Sequence, residues 1–145
     1  VSSAPQIRYP DCYGIDMAKL EDFIAFRAAL ALHKDRNTMN VVEGIYKKCL
    51  SQLASKDADV VNYVTEFYAP FTVEEISAKI GELLTGPEIK AEVEIVYQTI
   101  ENLHLACPEN LGDWYFTGDY PTPGGNRVVN RAFVNFFEGK NERAY

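Results

Sequence analysis

Val42–Leu53 reads VEGIYKKCLSQL. Its apolar residues Val42, Ile45, Tyr46, Cys49, Leu50 and Leu53 fall at i, i+3, i+4, i+7, i+8 and i+11, which lines them along one face of a helix. This spacing predicts a helix despite Gly44, and it sets the expectation for the flanking chain. Upstream, across the polar break Asp35-Arg36-Asn37-Thr38, Lys19 to about Lys34 is rich in helix formers, with Leu20, Phe23, Ile24, Leu30 and Ala31 at helical spacing. Downstream, Val60, Val61, Val64, Phe67 and Tyr68 repeat the pattern, with Asp57 and Asp59 placed to favour the positive end of the helix dipole. That third helix is expected to stop before Pro70.

A fourth helix has a full start signal. Thr72 and Glu75 stand at capping-box spacing, and Phe71 is placed to staple against Ile76. It is expected to run to about Leu84 and to end at Thr85-Gly86-Pro87. From Glu88 to Cys107 two periods compete: Ile89, Val93, Val96, Ile100 and Leu103 form a helical stripe, whereas Val93, Ile95 and Tyr97 alternate with Glu92, Glu94 and Gln98. The β-branched content and the N-cap candidate Thr99 favour a short strand over 92–98 followed by a helix over 100–106. Residues 108–127 hold four glycines and three prolines and read as a long loop pinned by Trp114, Tyr115, Phe116 and Tyr120. Val129, Ala132, Phe133, Phe136 and Phe137 make a last helical stripe closed by Gly139, with a frayed tail over 140–145. The expected class is mainly α (α+β), with four to six helices, one or two short strands and the long aromatic-rich loop.

The 145 residues suffice for one domain with a sizeable core. Fourteen Lys and Arg against 21 Asp and Glu give a net charge of -7, which repels a phosphate backbone and argues against nucleic acid as a partner. No apolar run approaches the length of a bilayer crossing, and no signal-peptide pattern opens the chain, so no membrane partner is expected. Cys12, Cys49 and Cys107 are far apart, without a CxxC pair, which fits a reducing, cytoplasmic setting. His33 and His104 stand alone, so no metal site is expected. The chain opens at Val1, with Met17 and Met39 internal, and is read as a fragment or processed product.

Few residues suggest chemistry. The carboxylates on the first, second and fourth helices lie mainly opposite the apolar stripes, as solvated surface. Gly124-Gly125 lacks the preceding strand and the closing Lys-Ser or Lys-Thr of a phosphate loop. Ser2, Ser3, Ser51, Ser55 and Ser77 have no base placed to activate them. No catalytic residue is assigned.

Ser2-Ser3-Ala4-Pro5, Arg8-Tyr9-Pro10, Tyr13-Gly14-Ile15-Asp16-Met17 and Glu21 to Ala25 follow one another in a pattern that resembles the amidophosphoribosyltransferases (glutamine phosphoribosylpyrophosphate amidotransferases) just after their phosphoribosyl-binding loop. FTVEEISAKIG at Phe71–Gly81 is similar to a helix of that family, Ile95–Leu103 to a strand-then-helix step, and FTGDYPT at Phe116–Thr122 to a motif near its carboxyl end. The resemblance implies the carboxyl-terminal part of a phosphoribosyltransferase-type chain. Residues 28–70, which have no counterpart, are then a helical insertion in a single domain over 1–145. The family transfers glutamine-derived ammonia to phosphoribosylpyrophosphate, giving phosphoribosylamine for purine synthesis.

The family's cysteine nucleophile and Asp-Asp phosphoribosyl loop precede these segments, so the resemblance implies a non-catalytic piece. Its partners are the amino-terminal glutaminase and phosphoribosyltransferase segments of a homo-oligomeric parent that uses magnesium with its substrate. In related enzymes the Tyr-Gly-Ile-Asp-Met neighbourhood touches nucleotide, which implies contacts at Tyr13, Asp16 and Met17, although Ala18 stands where proline is frequent. Some members bind an iron–sulfur cluster through cysteines just before Phe-Thr-Gly. Here Gly112-Asp113-Trp114-Tyr115 stand in that place and Cys12 is one position displaced, so the resemblance does not carry a cluster to this chain. The alternative is a regulatory or interaction module that docks through the Val42, Ile45, Leu53, Val60 and Phe67 stripes or senses purine nucleotides at Tyr13.

Overall fold

The computed structural model describes residues 4–10, 19–56, 59–109 and 112–144. After a single 3-10 turn at Leu20–Asp22, the α-helices in chain order are α1 (Ile24–Asp35), α2 (Met39–Ala54), α3 (Thr65–Tyr68), α4 (Val73–Leu84), α5 (Ile100–Ala106), α6 (Trp114–Thr117) and α7 (Pro123–Phe137). α1 packs on α4 and α2 on α7, while the Leu20–Asp22 turn joins α1 to α7. The chain is thus mainly helical, and among the described residues there is no strand.

The stripe over Val42–Leu53 forms α2 as its spacing predicts, with Val42, Ile45 and Cys49 buried and Gly44 facing open space, where its missing side chain leaves no gap. α4 begins with the reciprocal capping box: the Glu75 amide donates to Thr72 Oγ1 at 3.2 Å, and the Thr72 amide donates to Glu75 Oε2 at 2.9 Å. That hydrogen bond, reinforced by Arg36, holds the Glu75 carboxyl below its ordinary pKa. Phe71 and Ile76, the expected staple pair, are both buried. At the far end, Gly139 lies at φ 65, its amide bonds Phe136 O and the Lys140 amide bonds Asn135 O, which is the Schellman closure expected of a C′ glycine.

Four expectations need correction. The first helix, expected over Lys19 to about Lys34, begins only at Ile24, because Leu20–Asp22 form a 3-10 turn and Phe23 is extended at φ -85 and ψ 118. Residues 92–98 keep the alternation of a strand, with Ile95 and Tyr97 packed inward and Val96 outward, yet they join no ladder. A strand is completed by a neighbour, and among the described residues the only backbone bond to another segment is at its end, from the Gln98 amide to Ala4 O at 3.2 Å, which makes no ladder. The third helix is only the four residues of α3. Residues 60–64 are instead held by side-chain amides: Asn126 donates to Val60 O (2.7 Å), Asn130 donates to Val61 O (2.8 Å) and accepts from the Tyr63 amide (3.2 Å), and Asn62 accepts from the Val64 amide (3.1 Å). These bonds satisfy the groups a helix would have paired, so the backbone has an alternative to helix. Asp57, one of the two expected dipole partners of that helix, lies outside the described residues.

The supposed loop over 108–127 also contains α6 and the first residues of α7. Thr122 caps α7, its hydroxyl accepting from the Gly125 amide at 3.2 Å, and Pro123 follows in the first turn. The glycine pair is inside the helix. A side chain at Gly125 would come within 2.5 Å of the Tyr120 ring, so close packing, not phosphate binding, explains that glycine.

The core gathers Leu20, Phe23, Phe26, Val64, Phe67, Ile76, Ile80, Val129 and Phe133 into one cluster with the buried faces of α1 and α2. The 28–70 stretch, read as an insertion, supplies Val42, Ile45, Cys49, Phe67 and Tyr68 to that cluster. His33 is fully buried between the Phe67 and Phe71 rings. Its Nε2–H donates to Phe67 O at 2.8 Å, which leaves Nδ1 to accept from the Thr38 hydroxyl at 2.8 Å.

Burial is the main cause that lowers the His33 pKa, so the folded chain holds it neutral while the unfolded chain takes up a proton near pH 6.5. Protons are then bound preferentially by the unfolded state, and the contribution of His33 to stability is present above about pH 6.5 and lost as pH falls toward its folded pKa. Urea denaturation of the wild type and of His33→Gln is expected to show a stability gap that narrows between pH 7.5 and pH 5.5. A constant gap would mean that His33 does not titrate differently in the two states.

Candidate functional site

The two segments that carry the strongest sequence signals meet in space. The Arg8 and Tyr9 amides both donate to Tyr115 O, at 2.9 and 3.2 Å, and the Tyr120 hydroxyl donates to Pro10 O. From below, the Tyr68 hydroxyl donates to Arg8 O at 2.8 Å, and the rings of Tyr9 and Tyr68 meet edge to face at 5.4 Å. Gln6 anchors the start of the segment to α4, donating to Val73 O and Ser77 Oγ, each at 2.9 Å. The Arg8 guanidinium donates to Gln6 Oε1 at 2.7 Å and sits over the Tyr68 ring at 5.3 Å.

Gly118 is the pivot. It ends α6 at φ 82, a left-handed conformation that an L side chain disfavours. Its carbonyl accepts from Asn62 Nδ2 at 2.9 Å, and a Cβ added there would lie 2.8 Å from the Tyr9 ring, 2.9 Å from Asn62 and 3.0 Å from Thr65. The glycine of FTGDYPT therefore lets Arg8-Tyr9-Pro10 approach the chain after α6. The tyrosine of that motif clamps Pro10 and its last threonine caps α7.

Chemically this junction holds backbone to backbone. Burial raises the pKa of both Tyr9 and Tyr68 above the ordinary phenol value, so both stay protonated, and the Tyr68 hydroxyl keeps the proton it donates to Arg8 O. Tyr13, Asp16 and Met17, the expected nucleotide contacts, lie outside the described residues, as does Cys12. They follow in sequence directly after the Pro10 clamp, and among the described residues the next buried one is Leu20. Burial pushes the Cys49 thiol up to about 12, and its Sγ–H points at Asn130 Oδ1 at 3.5 Å, a packed thiol rather than a nucleophile.

Among the candidate serines, Ser77 spends its hydroxyl proton on Val73 O at 2.7 Å while accepting from Gln6, a purely structural use. His104 pairs with Asp113 at 2.9 Å, tying the end of α5 to the start of α6. Among the described residues no group of three or more His, Cys, Asp or Glu converges as metal ligands would, and no helix is long and apolar enough to cross a membrane. Of the stripes that would serve as a docking face, Val42, Ile45, Val60 and Phe67 are buried and Leu53 packs partly buried against the core.

Residues that sequence reading overlooked do much of the positioning. In the sequence Tyr68 is one apolar position in a helical stripe, whereas in the fold its hydroxyl donates to Arg8 O. Asn62, Asn126 and Asn130 were not singled out, although Asn126 and Asn130 are four apart and so share a helix face toward 60–63. Comparison of the chain with protein-family models, curated proteins and solved structures finds no match.

Proposed function

We propose that this chain is the carboxyl-terminal part of an amidophosphoribosyltransferase and serves that enzyme structurally, without supplying its catalytic groups. The observation that supports the reading is the convergence of Arg8-Tyr9-Pro10, which opens the run carrying the main resemblance, with Tyr115 and with Tyr120 of the weaker FTGDYPT likeness. Two distant sequence signals whose residues hold one another in place behave as one unit, which a chance likeness in either segment would not require. On this reading the glutaminase and phosphoribosyl-binding segments belong to the same cytoplasmic, homo-oligomeric parent, with magnesium accompanying its phosphoribosylpyrophosphate. Tyr13, Asp16 and Met17 follow the Pro10 clamp in sequence and are the residues proposed to face a nucleotide.

The test uses the natural protein purified from its source under protease inhibition. An intact mass several times 16.3 kDa, an amino-terminal cysteine, and glutamine-dependent release of pyrophosphate from phosphoribosylpyrophosphate are expected. A natural product without glutaminase or phosphoribosyl segments, or one inactive in that assay, removes the enzyme reading. Titration of AMP and GMP into the same preparation reads the nucleotide contacts, since Asp16→Asn should weaken saturable binding and leave the thermal midpoint unchanged.

A further inference from the structure

Between Ala91 and Tyr97 no backbone group makes a hydrogen bond, whereas on either side the Ile89 amide bonds Gly86 O and the Gln98 amide bonds Ala4 O. The stretch nevertheless has a strand's two faces. Ile95 and Tyr97 pack toward the core, Val96 is 81% exposed, and the chain crosses α4 where Gly81 admits Val93 O to within 3.4 Å of the position a Cβ would take. A lone strand laid on a helix offers its N–H and C=O groups as a template for another strand.

A groove of about 780 Å³ runs between α4 and this stretch, with Val73 and Ala78 on the helix side and Val93 and Ile95 on the other. Glu74, Glu92 and Glu94 also line it, none has an ion-pair partner, and no lysine or arginine is in its wall.

We propose that residues 92–97 are a docking edge for an extended polypeptide segment that alternates apolar and basic residues. Main-chain bonds to the edge would hold it, its apolar side chains would enter the groove beside Val73 and Ala78, and its lysines or arginines would meet Glu92 and Glu94. Charge selects this occupant over a second copy, which would bring further carboxylates to a groove that already holds three without a cation. The inference is independent of the family reading, since it rests on α4 and residues 92–97 rather than on the junction at Gly118.

The probes are a fluorescent peptide of alternating lysine and valine and its glutamate–valine counterpart, titrated by anisotropy into the whole 145-residue chain. Saturable binding of the lysine peptide alone is expected, with amide exchange at 92–97 slowed about tenfold. Val93→Pro and Val96→Pro each remove an N–H that has no partner in the free chain, and in an extended backbone the N–H groups of residues three apart point to opposite sides. One of the two should cut lysine-peptide affinity about tenfold while the thermal midpoint stays put. The double variant Glu92→Lys/Glu94→Lys should transfer the preference to the glutamate peptide. Binding by neither peptide, binding that both proline variants leave unchanged, or self-association of the free chain through 92–97 would each overturn the proposal.

Discussion

Replacing Gly118 with alanine is expected to lower stability by about 2–4 kcal/mol and to drop the thermal midpoint by roughly 5–15 °C. Two costs combine. An L residue at φ 82 sits in left-handed space, at roughly 1–2 kcal/mol. The new methyl would also fall within 3.0 Å of Tyr9, Asn62 and Thr65, of which Tyr9 is buried and Asn62 is committed to Gly118 O. The neighbours therefore have to shift, and the shift loosens the segment that Tyr115 O, Tyr68 and Tyr120 hold.

Amide exchange should consequently accelerate at Arg8 and Tyr9 before it changes in α2. A Gly118→Ala chain as stable as the wild type, with Arg8 and Tyr9 still protected, would show that the junction does not depend on close approach at this glycine.

Phe67→Ala is expected to be more damaging, at about 3–5 kcal/mol, because it removes a fully buried ring from the centre of an aromatic cluster. The ring stacks on Phe26 at 4.9 Å and meets Phe133 edge-on at 5.5 Å and Tyr68 at 5.1 Å, with His33 at 4.9 Å. These neighbours come from α1, α3 and α7, so the cavity is walled by separate elements that cannot collapse on it together. Urea denaturation measures the loss against Leu105→Ala, whose side chain is 79% exposed and whose truncation should stay within about 0.5 kcal/mol. Equal effects would mean that Phe67 is not the hub of the core.

Signals confined to one element read correctly: the stripe of α2, the capping box of α4 and the Gly139 closure each depend on residues within a few positions of one another. Misreadings arose where a distant group supplied what local periodicity could not reveal. Residues 60–64 follow a helical stripe, but Asn126 and Asn130 of α7 take up their backbone groups, and the helix begins only at Thr65.

Residues 92–98 have the composition and alternation of a strand, but among the described residues only the Gln98 amide meets another segment, at Ala4 O, so no ladder forms. At Thr122-Pro123 the start of α7 was written locally, as a cap followed by a first-turn proline. The following Gly124-Gly125 pair outweighed it, because two poor helix formers read as loop unless the Tyr120 ring against Gly125 is known.

The candidate site divides in the same way. FTGDYPT and Arg8-Tyr9-Pro10 could be singled out as unusual runs, but nothing local said that they touch or that Tyr68 holds one of them from beneath. By itself the sequence determined the mainly helical class, the positions of α2 and α4, and that Val42, Ile45 and Cys49 turn inward, because these follow from periodicity and capping within each segment; α1 starts later than its helix formers suggest and buries Ala25, Phe26, Ala28, Ala29 and His33 instead of the Ile24, Leu30 and Ala31 stripe. Tertiary structure alone decided where α3 begins, that residues 92–97 remain an unpaired edge, and that Gly118 carries a junction between segments more than a hundred residues apart. Those outcomes depend on hydrogen-bond partners and steric neighbours that come together only when the chain has folded.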